Sequence, residues 1–131
     1  MATEIIVNDG GAPARIILFI ADETIAAGDY CHMISSGEVE PCQASGNVGL
    51  GVALTAATSG NIVNMVTGKG VVLKTYVSGT IAAGARLFVG TALMYLQTAG
   101  TAETLEQAVA TYVDSANTTG GAPALKKVIF G

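Results

Sequence analysis

Apolar residues in this chain come in short runs broken by clusters of Gly, Asn, Asp, Ser and Thr, a spacing that predicts strands and not helices. The pattern predicts strands at 15–20, 30–34, 38–42, 48–54, 62–66, 71–77, 86–89, 93–96, 107–113 and 124–130. The run Ile16-Ile17-Leu18-Phe19-Ile20 has no alternation, which predicts burial on both faces. A two-residue Ser36-Gly37 loop would set Cys31 opposite Cys42 and His32 opposite Pro41, with Pro41 on an edge strand because it cannot donate to a ladder. The stretch 103–113 fits two periods: Leu105, Ala108, Val109, Tyr112 and Val113 share a helical face, while Leu105, Gln107, Val109, Thr111 and Val113 alternate as in a strand.

An internal echo favours the strand. Thr24-Ile25-Ala26-Ala27-Gly28 recurs as Thr80-Ile81-Ala82-Ala83-Gly84, each copy followed by strand formers, and further along Gly51-Val52-Ala53 has its counterpart in Ala108-Val109-Ala110. The prediction is an all-β fold: a compact barrel- or sandwich-like domain at 15–131, built of two related halves at about 24–79 and 80–131, behind an N-terminal arm at 1–14. In the arm Ile5-Ile6-Val7 is followed by the turn chemistry of Asn8-Asp9-Gly10-Gly11-Ala12-Pro13. It reads either as a frayed terminus or as a strand that adds to a neighbouring sheet edge through Glu4, Ile5, Ile6, Val7 and Pro13.

Composition changes this picture in one respect. Charged residues are 12% and apolar residues 50% of the 131, whereas a free-standing small domain carries roughly 25–35% charge on its surface. Part of the surface is therefore expected to be covered, and a homo-oligomer is expected. No apolar run reaches the roughly 20 residues that span a bilayer as a helix, so the covering partner is expected to be protein and not membrane. The net charge of −4 offers no footprint for a phosphate backbone, and nucleic acid is not expected as a partner. The first residues lack the basic and long apolar regions of a secretory signal.

The chemistry-bearing residues do not assemble into a site. Two Cys and one His fall short of structural zinc spacings, and adjacent Cys31 and His32 point to opposite faces of a strand. Buried, reduced thiols are the expected state of Cys31 and Cys42. No Gly-x-Ser-x-Gly elbow occurs, Glu38 and Glu40 read as exposed acids on a strand, and Gly68-Lys69-Gly70 lacks the rest of a P-loop and reads as a hairpin turn. No enzyme activity, metal or other cofactor is expected.

The Gly-punctuated strands resemble the head-decoration or cement proteins of tailed bacteriophages. The residues that carry the resemblance are Ile25-Ala26-Ala27-Gly28-Asp29, Asn47-Val48-Gly49-Leu50-Gly51-Val52-Ala53-Leu54, Gly68-Lys69-Gly70-Val71-Val72 and Thr80-Ile81-Ala82-Ala83-Gly84 before Arg86-Leu87-Phe88. The resemblance covers about 14–131, with the polar 114–122 loop and the 101–107 segment departing from it. It implies a virion protein, assembled in the host cytoplasm, that binds the outside of the major capsid protein lattice, often as a trimer. A tail, fibre or baseplate domain shares the same pattern. A biotinyl or lipoyl carrier would need Lys74 at an exposed hairpin tip, and its neighbours Leu73 and Thr75 place it mid-strand instead.

Overall fold

A computed structural model describes residues 5, 15–43, 49–89, 96–98, 109–117 and 123–131. It is all-β, and the described residues form ten strands: β1 Arg15–Ile20, β2 Tyr30–Met33, β3 Val39–Pro41, β4 Gly49–Ala53, β5 Ile62–Thr67, β6 Val72–Val77, β7 Arg86–Val89, β8 Leu96–Thr98, β9 Ala110–Tyr112 and β10 Ala124–Phe130. The ambiguous stretch is a strand where it is described, at β9; 101–108 lies outside the described residues.

The first five strands form a sheet in the order β1-β5-β4-β2-β3, and the last five a closed barrel in the order β10-β6-β8-β7-β9. Read from β6, that ring runs β6-β10-β9-β7-β8, which is the first order strand for strand. The agreement extends to single bonds. A parallel bridge joins Ala21 to Val39 across the two ends of the first sheet, where a parallel pair Val77–Leu96 closes the second. Asp22 N–H donates to Val39 O, and Ser78 N–H to Leu96 O. The two pentapeptides also match: Ile25 bridges Ala57 and Ile81 bridges Asn117, while Gly28 and Gly84 turn the chain at φ of 100° and 83°. The correspondence thus includes β1 and β6, upstream of the pentapeptides. In the fourth strands it sets Gly51, opposite Cys31, against Ala110, opposite Leu87, two residues later than the sequence pairing of Gly51 with Ala108.

Two cores follow from the side-chain alternation. Ala21, Ile25, Cys31, Val39, Ala53, Val63 and Met65 fill the first sheet. Their strand neighbours Tyr30, Val52 and Val66 belong instead to the core of the second barrel, with Leu73, Val77, Leu87, Tyr112 and Val128. Strands β2, β4 and β5 are therefore covered on both sides at Tyr30-Cys31, Val52-Ala53 and Met65-Val66, one residue of each pair facing each core. Tyr30 stacks on Phe130 with ring centroids 5.3 Å apart, tying β2 to β10.

Four sequence expectations change, one of them at β8, where the strand predicted to end at Leu96 runs on to Thr98; the other three concern the first sheet and its exit. The β2–β3 turn has three loop residues, with Ile34 N–H donating to Glu38 O and Gly37 at φ 90°, the left-handed position that Gly fills without steric cost. The register consequently shifts by one: Cys31 faces Pro41, His32 faces Glu40, and Cys42 N–H donates to Tyr30 O. Pro41 nonetheless sits on β3, at the end of the sheet order. Second, β1 is not buried on both faces: Ile16, Ile17, Leu18 and Ile20 are 54%, 43%, 61% and 40% exposed. Third, Gly68-Lys69-Gly70 does not close a hairpin, since β5 and β6 are not paired; it carries the chain from the first sheet to the second.

Candidate interaction surface

Several of the ionisable and nucleophilic side chains are engaged locally. The one-residue register shift puts Cys31 in the first core and Cys42 in the second, on opposite faces of the same strand pair, and both are free thiols. Burial holds both protonated, pushing Cys42 up to about 12, with the Glu40 charge adding to the effect, and raising Cys31 further with help from Asp29. His32 Nε2 lies 3.1 Å from Glu40 Oε1 across the β2–β3 pair. Asp29 accepts from Ala26 N–H at 2.8 Å; burial raises its pKa and that hydrogen bond lowers it, burial being the larger effect. Asp114 is held below the usual carboxylate range, chiefly by accepting from Lys127 N–H at 3.0 Å and further by Ser115 N–H. These contacts pin turns. Among the described residues no three His, Cys, Asp or Glu side chains come together as a metal site.

Lys74, the residue a carrier domain would modify, sits third in β6, opposite Lys127 on β10. Its N–H donates to Ile5 O at 2.7 Å. It is held mid-strand, not at a turn.

Ile5 is the described residue of the arm. It is 1% exposed and lies in the core of the second barrel, so its side chain is spent inside its own subunit, and a role on another surface would require it to leave. The sequence offered no signal for this partner, because β6 lies far along the chain. Glu4, Ile6, Val7 and Pro13 lie outside the described residues.

The exposed apolar surface is elsewhere. Ala21 N–H donates to Asn61 O, so alternation along β1 turns the N–H groups of Ile16, Leu18 and Ile20 away from β5. The side chains of the same three residues form an apolar stripe that Ile62, 59% exposed and opposite Ile20, extends onto β5. Among the described residues no strand pairs with this edge beyond the bridge from Ala21 to Val39, and such an edge with large aliphatic side chains is a template for adding protein. The pattern showed an apolar β1 but not its place at the end of the sheet order.

The sequence matches no protein-family model, and no curated protein matches it. The fold does have a counterpart. The structure is similar to the crystal structure of the head fibre gp8.5 N base of bacteriophage phi29, with a TM-score of 0.67, 11% sequence identity, and 91% of this chain and 95% of that chain covered. At that identity the likeness is one of fold, and it extends over nearly the whole of both chains.

Proposed function

We propose that this chain is a structural protein of a bacteriophage head, without enzyme activity, that binds the outside of the assembled major capsid protein lattice and stabilises it. The observation that carries this reading is the fold shared along nearly its whole length with a head fibre base. The 12% charge content and the exposed aliphatic stripe of β1 support a molecule whose surface is meant to be covered by protein, including other copies of itself. Stabilisation by such a protein is a matter of area: at roughly 25 cal/mol per Å² of apolar surface buried, a modest contact repeated around a shell sums to a large resistance to opening. The head fibre neighbour favours a second reading, in which the chain is the base of a longer fibre anchored to the head.

Cryo-electron microscopy of the parent particle separates the two. A decoration protein appears as density repeated over the lattice, in a trimeric arrangement. A fibre base appears at a few positions with density projecting outward. Absence of the protein from the head would overturn both.

A further inference from the structure

Within the chain, the first pentapeptide turn docks onto the second barrel at a defined place. Gly28 O accepts from Tyr76 N–H at 3.2 Å and from Thr75 Oγ1 at 2.8 Å. A side chain at Gly28 would strike Leu125 Cδ1 at 2.7 Å and Tyr76 Cε2 at 3.1 Å. The turn therefore packs flat against paired residues Tyr76 of β6 and Leu125 of β10.

The duplication identifies both partners of the same contact a second time. The counterparts of Tyr76 and Leu125 are Ile20 and Ile62, likewise paired, and 40% and 59% exposed. The counterpart of the docked turn is Ala82-Ala83-Gly84, identical in sequence to Ala26-Ala27-Gly28. All three of its residues are exposed, and a side chain at Gly84 would meet no atom within 4 Å. The Ile20 N–H stands where the Tyr76 N–H donates to Gly28 O. Among the described residues, one docking surface and one docking turn are thus both left open in each molecule.

We propose that the Ala82-Ala83-Gly84 turn of one copy docks on the Ile20–Ile62 face of a second copy, repeating between molecules the main-chain and apolar parts of the contact that Gly28 makes within one; the hydroxyl of Thr75 is not repeated, because its counterpart is Phe19. The contact is head-to-tail: each copy offers a different surface to each neighbour, so copies assemble into a ring if the rotation closes and a filament if it does not. It is narrower than the internal one. Beside the first turn, Tyr30 and Val52 face the second barrel, while their counterparts Arg86 and Thr111 are polar and hydrogen bonded to each other at 2.8 Å. The proposal concerns the free protein and does not depend on attachment to a head.

The test is sedimentation of the purified chain across the micromolar range, with Ile62→Glu as the acceptor variant and Ala83→Glu as the turn variant. The wild type is expected to self-associate with rising concentration, and each variant to weaken this by at least about tenfold. An equimolar mixture of the two variants is expected to form a dimer and nothing larger, because each retains the surface that the other has lost. Circular dichroism checks that each variant is folded, and Ile20→Glu with Ala82→Glu gives a second pair should either fail. A wild type that stays monomeric, an oligomer indifferent to both substitutions, or a mixture that does not dimerise would each overturn the proposal.

Discussion

Replacing Gly49 by Ala tests whether Tyr30 is the fixed pin between the two halves. A Cβ at Gly49 would lie 1.8 Å from Tyr30 Cζ, 1.9 Å from its hydroxyl oxygen and 2.1 Å from Cε2. To reach ordinary contact the ring must retreat by roughly 1.5–2 Å. Its retreat is opposed by Phe130, stacked on it at 5.3 Å. Forcing a methyl into such packing costs about 1–3 kcal/mol, and disturbing the aromatic pair adds about 0.5–1.5 kcal/mol. We expect Gly49→Ala to lose about 2–4 kcal/mol in urea unfolding. In a Tyr30→Leu background, where Cζ and the hydroxyl are gone, the same substitution should cost less than half as much. Gly60→Ala is the control: Gly60 has φ 84° and open space around it, so it should cost roughly 1–2 kcal/mol of backbone strain in either background. An equal Gly49→Ala penalty with and without Tyr30 would refute the reasoning.

The buried thiols ionise near pH 9 when unfolded but only at higher pH when folded, so their contribution is complete below pH 9.0 and is lost as pH rises toward about 12. Unfolding midpoints should fall between about pH 9 and 12, with a shallower slope in the Cys31→Ala, Cys42→Ala double variant; an unchanged slope counts against this. Both thiols should resist a thiol reagent in the native protein and react on denaturation without reductant. Burial raises the folded pKa of Asp29, so its ionisation on going to neutral pH weakens the fold. Asp29→Asn keeps an acceptor for Ala26 N–H and should therefore be stabilising at pH 7, an expectation that a loss of stability would contradict. Ile5→Ala should cost about 2–5 kcal/mol, as for a core residue; a loss below about 0.5 kcal/mol would mean that the arm does not seal the second barrel.

Local sequence carried most of the strands, with β8 displaced to Leu96–Thr98 from the apolar run at 93–96. The bounds of β1, β7 and β10 fall where the apolar runs place them, and the repeated pentapeptide marks equivalent turns in the two halves. What local sequence could not carry is which strand ends a sheet. An unbroken aliphatic run looks the same in β1, which is exposed, as in a strand covered on both sides; the difference lies in whether a distant segment packs over it. The cysteine register failed for a smaller reason: one loop residue more in the β2–β3 turn, accommodated by Gly37, exchanges the facing partners. The interaction surface was legible as composition and not as position, because the low charge content says that surface is covered without saying where.

The burial of Ile5 gives the chain a temporal order. The first sheet encloses its own core from residues 21–65, whereas the second barrel draws on Ile5, Tyr30, Val52 and Val66 from the earlier part of the chain. During synthesis the first half can close as it emerges, and the second must fold against a surface already made. The second half is thus the dependent partner of the duplicated pair, and pulsed hydrogen exchange during refolding should protect β6 no earlier than β4 and β5. The two like halves thus divide the labour of folding, one as template and the other as the part cast upon it.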